Sequence, residues 1–259
     1  MFKRIRILAL LLVLLFVALS AWLSQARSTD WNNTLWIRVY PINADNDPAT
    51  QRYIESLSVK TFVDIEAFFA REVARHGVSL DRPVRMELGP QLPEEPPRLT
   101  AQPSIVDTML WSLKTRWWVS SITRGREDIP PDVRIFMRFH HPDTHLVLDD
   151  SVGLRKGMFG IVNAYADRRF AGRNNFILAH EFLHTIGASD KYSLNTNQPI
   201  VPIGLAEPDR RPLFPQRYAE IMGGRIALSS TDAVTPKNLT RAIIGRETAL
   251  EIRLVESLP

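Results

Sequence analysis

Three residues in one short stretch have the types and the spacing of a zinc site. His180 and His184 lie four residues apart in the pattern His-Glu-x-x-His, and Glu181 stands between them. On a helix this spacing puts both imidazoles on one face, within reach of a single metal ion. Glu181 lies beside them, where a carboxylate can serve as general base for a water on that metal. The pattern therefore predicts a metal-binding helix with hydrolytic chemistry.

A third ligand is required because two histidines do not hold a catalytic zinc well. Gly187 follows His184 by three residues, and glycine readily adopts the left-handed conformation that reverses the chain at a helix end. Such a reversal would bring Asp190 back towards the metal. We therefore predict one Zn²⁺ per chain, bound by His180, His184 and Asp190, with Glu181 as the catalytic residue.

The full pattern, His180-Glu181-x-x-His184-x-x-Gly187-x-x-Asp190, resembles the zinc signature of the metzincin peptidases. It is similar to the subset whose third ligand is aspartate, as in snapalysin-type peptidases. The resemblance implies a zinc-dependent metalloendopeptidase acting on peptide or protein substrates. It also implies a methionine in a tight turn below the metal, for which Met222 in Glu-Ile-Met-Gly-Gly is the candidate. An edge strand that binds extended substrate would fall within residues 153–166.

One position departs from this resemblance. Some metzincins have a tyrosine two residues after the turn methionine, and here that position is Gly224. Tyr192 and Tyr218 are the two substitutes, and the sequence does not rank them. The residue that stabilises the oxyanion beside zinc is therefore left unassigned.

Two alternatives to this interpretation stay open. In the first, the third ligand is a more distant carboxylate, Glu207 or Glu220, as in gluzincins, although the prolines nearby disfavour the helix that this would need. In the second, the chain is a membrane-tethered zinc-binding or structural protein with a catalytically inactive metallopeptidase fold. Glu181 favours an enzyme, because this residue is needed for proton transfer and not for holding the metal.

The first 27 residues predict export or membrane attachment. Lys3, Arg4 and Arg6 precede an unbroken apolar run at residues 7–19. A basic flank followed by such a run is typical of a signal peptide or of a single transmembrane helix. We expect an uncleaved anchor with its N-terminus in the cytoplasm and the body in a periplasm or extracellular space. Cleavage of the segment would instead give a secreted protein.

The remaining composition excludes several kinds of partner and site. Four of the 32 Lys and Arg residues lie within residues 1–27, and the 28 that remain equal the 28 Asp and Glu residues. The body is thus neutral and has no basic stripe, which excludes a nucleic-acid partner. The chain has no cysteine, so disulfides and thiolate ligands are excluded as well. Oligomeric state is left open.

Hydrophobic periodicity predicts the elements that must position the motif. Alternating apolar residues predict strands at 35–40, ending at Pro41, and at 84–88, 133–139, 145–148 and 160–166. Apolar residues at helical spacing predict helices at 49–76, from Ser104 to near Gly125, around the histidine motif, and at 235–244. The fold class is therefore α+β (mixed α/β), and the resemblance implies a zincin-like catalytic domain.

These elements divide the body into two predicted parts. Residues 28–190 form an N-terminal subdomain with a mixed sheet, helices and the zinc helix at its end. Residues 191–259 form a smaller, loop-rich C-terminal subdomain with the Met222 turn and a final helix, since prolines punctuate this region.

Two further clusters have structural interpretations. In the helix that starts at Ser104, one face consists of Ile105, Met109, Leu113 and Trp117, and the tryptophans of this helix are expected to be core. His140, His141 and His145 could hold a second metal, but they surround Pro142 after a strand. We interpret them as residues of a turn.

Overall fold

The computed structural model describes residues 31–99, 104–149, 151–154 and 158–256, together with Arg6. Apart from Arg6, the predicted signal or anchor segment at residues 1–27 lies outside these ranges. Within them, no helix combines the length and the apolar character needed to cross a membrane.

A mixed five-stranded sheet lies at the centre of the fold. Its strands are β1 (Leu35–Asn43), β2 (Val84–Leu88), β3 (Val133–His140), β4 (Val152–Leu154) and β5 (Phe159–Tyr165). They are arranged in the order β2-β1-β3-β5-β4. All neighbours are parallel except β4, which pairs antiparallel with β5 at the edge. The mixed α/β class predicted from the sequence is confirmed.

Among the described residues from Trp31 onward, five α-helices and four short strands accompany this sheet, together with short 3₁₀ turns. The helices are α1 (Pro48–Glu55), α2 (Val63–Arg75), α3 (Ile105–Thr123), α4 (Ala171–Ile186) and α5 (Arg246–Glu251). The short strands are β6 (Ala219–Glu220), β7 (Ile226–Ala227), β8 (Ala233–Val234) and β9 (Ala242–Ile243). β6 pairs with β9, and β7 with β8.

Alternation along the strands produces two cores, one on each face of the sheet. Ile135 and Met137 of β3 belong to the larger core, with α2 and α4, whereas Phe136 faces the smaller core beneath α3. In the larger core Phe69 meets Phe182 edge to face, with ring centroids 5.1 Å apart. The histidine motif therefore lies on a helix whose inner face is held by the main core.

β1 continues through Pro41, where the sequence predicted an end. Its pairing with β2 stops at Val39, but its pairing with β3 runs to Asn43. The Pro41 carbonyl accepts a hydrogen bond from the Leu92 N–H at 2.9 Å, so the proline nitrogen faces the side on which β2 has already ended. The missing N–H breaks no ladder bond there, which is why the strand tolerates proline.

The prediction of a single helix at 49–76 is wrong. α1 and α2 are separate helices with a 3₁₀ turn at Val59–Phe62 between them. The Ser58 N–H donates to the Thr61 hydroxyl at 3.3 Å and begins this turn. Serine and threonine compete for backbone groups in this way, which interrupts a helix without disturbing its apolar periodicity.

The apolar face of α3 indicated by the sequence is exposed, and of the tryptophans predicted to be core Trp118 is buried whereas Trp117 is not. Exposure reaches 82%, 62%, 61% and 74% at Ile105, Met109, Leu113 and Trp117. The opposite face is the buried one, with Trp118, Val119 and Ile122 in the smaller core. This helix is apolar on two sides, so its periodicity alone did not indicate which side packs on the sheet.

Two other predicted elements are wrong. Residues 145–148 form no strand, and Leu146 and Val147 are exposed; the strand in this region is β4. Residues 235–244 form no α-helix but a 3₁₀ turn at Leu239–Arg241 followed by β9, and Arg71 of α2 binds the carbonyls of Leu239 and Ala242 at 3.3 and 2.9 Å. Those carbonyls are thus taken by a distant side chain, and the final helix is α5, after Gly245.

Candidate metal centre

α4 ends where the sequence predicted. Gly187 is its C-terminal cap and has φ 119°, in the left-handed region. The Gly187 N–H lies 3.1 Å from the Leu183 carbonyl, and the Ala188 N–H donates to the same carbonyl at 3.0 Å. These bonds reverse the chain directly after the helix. Asp190 thereby returns towards the histidine face of α4.

The three predicted ligands meet at one point. Nε2 of His180 and Nε2 of His184 are 3.1 Å apart, and Oδ1 of Asp190 lies 3.1 and 3.2 Å from them. The side chain of Asp190 is 34% exposed, while those of His180 and His184 are 10% and 18% exposed. The carboxylate of Asp190 thus faces the solvent, whereas the two imidazoles on the helix are largely buried.

Backbone carbonyls fix the orientation of both imidazoles. Nδ1 of His180 lies 2.9 Å from the Ile221 carbonyl, and Nδ1 of His184 lies 2.9 Å from the Ala188 carbonyl. Because a carbonyl only accepts, each Nδ1 must carry the proton. In the neutral rings both Nε2 lone pairs then face the Asp190 carboxylate. Metal-binding histidines are typically oriented in this way.

The three side chains also bias one another's charge. Burial alone would raise the pKa of Asp190, but the imidazoles of His180 and His184, which donate from Nε2 to its carboxylate when they are protonated, hold that pKa well below its usual range. Burial opposes protonation of His180, yet Asp190 and Glu181 together raise the pKa of this imidazole. The site therefore holds an ionised carboxylate and attracts positive charge.

Glu181 is buried beside this group with an unsatisfied oxygen. Its Oε2 has no hydrogen-bond partner among the described residues. Burial raises the pKa of Glu181, although His180 and His184 act in the opposite direction. The backbone N–H of Gly153 also lowers this pKa. A buried acceptor without a partner is costly, so Oε2 is suited to a ligand or water that the protein itself does not supply.

β4 lies directly against α4 at this point. A Cβ on Gly153 would collide with the Glu181 carbonyl and would stand 2.5 Å from Cβ of His184. Only glycine allows this approach. The predicted substrate strand at 153–166 covers parts of two strands, and β4 is the edge strand that runs along the helix.

The turn predicted to lie beneath the metal is buried. Met222 is fully buried in a 3₁₀ turn, Ile221–Gly223, that ends at left-handed Gly224. The Ile221 carbonyl of this turn is the acceptor for His180, and the Met222 carbonyl accepts from the Lys191 N–H at 2.9 Å. The turn thus supports one histidine and the segment that carries Asp190.

The two alternative third ligands have other partners. Glu220 is fully buried and accepts from the N–H groups of Gly223 and Gly245 and from the Thr248 hydroxyl at 2.7 to 3.0 Å. Glu207 pairs with Arg217 and lines a separate cavity of about 720 Å³ that includes none of the three predicted ligands. Neither carboxylate belongs to the histidine group.

Of the two tyrosines, Tyr192 is the one near the histidines. Its ring centroid lies 6.3 Å from that of His180, and its ring would be 3.7 Å from a Cβ on Gly224. Tyr218 is 37% exposed, and the Arg241 guanidinium lies over its ring. Tyr192 therefore has a ring contact with the site.

Comparison with known proteins assigns the chain to no family. No protein-family model matches the chain, and no curated protein matches it. One solved structure that it resembles is described as "Structure of a chaperone-substrate complex", with 13% sequence identity and a TM-score of 0.41. The match covers 85% of this chain and 35% of that one, so this chain spans about a third of its length. Likeness at this level assigns neither fold family nor activity.

A contact that the sequence did not predict holds the Asp190 segment in place. Glu251, the last residue of α5, accepts from the N–H and the hydroxyl of Ser189 at 2.9 and 2.5 Å. It also accepts from Nζ of Lys191, whose side chain is only 2% exposed, at 2.7 Å. These bonds fix the positions of Ser189 and Lys191, the two neighbours of Asp190. No local pattern marks Glu251, because its partners are about 60 positions earlier in the chain.

Replacing Glu251 by Gln is expected to weaken the predicted zinc binding about tenfold to 100-fold, as other losses of supporting contacts do. It should also lower the free energy of unfolding by about 1–3 kcal/mol, less than the full loss of a buried pair because Glu251 is one-third exposed. Competition titration with a zinc chelator and denaturant unfolding measure the two effects. Glu247→Gln on the same helix is the control, and equal zinc affinity in both variants would contradict the positioning role.

The Glu251 contact also predicts a pH dependence. Burial would raise the pKa of Glu251, but the bonds from Lys191 and Ser189 lower it below its ordinary value of 4.5. Such a carboxylate stabilises the fold above its unfolded pKa and loses this effect as the pH falls through its folded pKa. The stability difference between wild type and Glu251→Gln should therefore shrink below pH 4.5 in metal-free protein.

Proposed function

We propose that this protein is a zinc-dependent metalloendopeptidase of the metzincin type. One observation carries the proposal: Nε2 of His180, Nε2 of His184 and Oδ1 of Asp190 form a triangle with edges of 3.1 to 3.2 Å. Ligands about 2.0–2.1 Å from a tetrahedral zinc are about 3.3 Å apart, so the donor set fits this ion. The oriented lone pairs and the unsatisfied Oε2 of Glu181 support the same assignment.

The wider fold supports the zincin assignment. An antiparallel edge strand, β4, runs along the helix that carries the histidines, and a left-handed glycine returns the third ligand. The buried turn at Met222 supports His180 through the Ile221 carbonyl. The N-terminal segment would attach this domain to a membrane, or direct its secretion if it is removed.

The chain's own groups account for binding and proton transfer. When bound, zinc would acidify a water and polarise the scissile carbonyl. The Glu181 carboxylate is buried and its pKa is raised, which suits it to take a proton near neutral pH and to return it to the leaving amine. The edge of β4 offers backbone groups to an extended peptide, which would place that peptide beside the histidines.

Separate substitutions of the two competing carboxylates test the ligand set. Asp190→Ala is expected to bind one zinc fewer than wild type, because the site keeps only two ligands. Glu220→Gln should keep wild-type zinc content, since Glu220 accepts bonds in the turn and does not touch the histidines. Mass spectrometry of full-length protein purified without chelator gives the content. Loss of zinc from Glu220→Gln alone would replace the proposal with the gluzincin alternative.

A further inference from the structure

A second group of metal-binding side chains lies at the carboxyl end of the sheet. Asp45, His140 and His145 each offer a ligand atom, and these atoms all lie within 4.8 Å of one another. β1 and β3 are adjacent and parallel, so Asp45, two residues after β1, and His140, the last residue of β3, reach the same edge. His145 joins them from the turn after β3. This edge is where open α/β sheets bind ligands.

The group contains a buried nitrogen without a partner. His140 is only 8% exposed, and no described residue makes a hydrogen bond with its Nδ1. Its ring lies against that of His145, with centroids 4.8 Å apart. Leaving such an atom unsatisfied costs about 1–3 kcal/mol, so an occupant that binds it is favoured.

Hydrogen bonds orient the carboxylate of Asp45 and keep it ionised, as a cation site requires. Its Oδ2 accepts from the His141 N–H at 2.6 Å and from the Thr50 hydroxyl at 3.2 Å, and Oδ1 accepts from the Asp47 N–H at 3.0 Å. These bonds favour the ionised form and fix its direction. Nδ1 of His145 lies 3.9 Å from Oδ2, which is too long for a hydrogen bond and longer than the spacing of about 3.3 Å between two ligands of one tetrahedral zinc, so the His145 ring would move closer when an ion binds.

This group is separate from the histidines of α4. Asn174, near the start of α4, binds the backbone of Tyr165, which is paired with His140. His184 lies ten residues further along the same helix, or about 15 Å at 1.5 Å per residue. The two groups therefore lie near opposite ends of α4 and share no ligand.

We propose that Asp45, His140 and His145 bind a second divalent transition-metal ion of the Zn²⁺ class. One carboxylate and two imidazoles form a donor set that suits this class and not Ca²⁺ or Mg²⁺, which take oxygen ligands. The ion joins the β1–α1 connection to the turn after β3 and so stabilises this end of the sheet. This site stands on its own residues and does not depend on the peptidase assignment.

The test isolates the second site by removing the first. Full-length His184→Ala is titrated with Zn²⁺ alone, and bound metal and thermal unfolding are measured. We expect one zinc to remain bound and to raise the unfolding temperature, since a ligand specific to the folded state stabilises it. Adding His145→Gln to this variant should weaken that zinc at least tenfold and abolish the rise. His145 is 41% exposed at its side chain, so this change is compatible with folding.

Two further variants make the result decisive. Asp45→Asn, in the same His184→Ala background, should repeat the loss, whereas His141→Gln should keep the zinc, because His141 contributes only its N–H to Asp45. A His184→Ala protein that binds no zinc, or binds it equally with and without His145, overturns the second site. Failure of the α4 site would be visible separately, as a wild type whose bound zinc is unaffected by His184→Ala.

Discussion

Glu181→Gln is expected to reduce peptide hydrolysis by about 10²–10⁴-fold while leaving the zinc content unchanged. Glutamine keeps the shape of the side chain but cannot take up a proton, and Glu181 does not belong to the group of three ligands. Its unsatisfied Oε2 is the atom whose chemistry the substitution removes. Initial rates on a library of internally quenched peptides and metal content by mass spectrometry provide the two readouts.

Glu55→Gln is the matched control for Glu181→Gln. Glu55→Gln changes an exposed glutamate on α1 and should leave both readouts at their wild-type values. If Glu181→Gln cleaved the library as fast as wild type, Glu181 would not be the base. If wild-type protein bound zinc and cleaved no peptide, the chain would be a zinc-binding protein with an inactive metallopeptidase fold.

Gly153→Ala should reduce the activity at least tenfold and lower the free energy of unfolding by about 1–3 kcal/mol. A new methyl group would collide with the Glu181 carbonyl and press on His184 Cβ, and both neighbours are held in α4. β4 would have to move away from α4, which would change the surroundings of Glu181 and His184. Denaturant unfolding and peptide hydrolysis are measured on the same preparation.

Gly77→Ala separates steric contact from backbone strain. Gly77 has φ 86°, but a Cβ there would meet nothing within 4 Å. Its substitution should therefore cost about 1–2 kcal/mol of stability and leave the activity per folded molecule unchanged. Should Gly153→Ala behave in the same way as Gly77→Ala, β4 would not be packed on α4 as described.

Some predictions from the sequence were accurate because the relevant interactions are local. The helical stretch with His180 and His184 on one face and the left-handed Gly187 depend on residues within about two turns of one another. Strands such as β3 were visible because one side chain in two faces the larger core. In each case the pattern and the structure it produces occupy the same few residues.

Other features were not visible in the apolar periodicity from which the elements were predicted. The break between α1 and α2 arises from Ser58 and Thr61, which leave the apolar periodicity intact. The buried side of α3 was decided by the sheet, since the helix is apolar on both sides. Residues 235–244 form a 3₁₀ turn and β9 in place of the predicted helix, and Arg71, about 170 positions earlier, binds their carbonyls.

By itself, then, the sequence determined a mixed α/β chain with two histidines and a glutamate on one helix and a chain reversal after it. The tertiary structure decided what surrounds them: Glu251 reaching back to both neighbours of Asp190, and Asp45 joining His140 and His145 in place of His141. The physical reason is the separation in sequence of the residues that interact. Helix periodicity and glycine conformations act over a few residues, whereas these contacts close loops of about 60 and 95 residues, whose partners only packing selects.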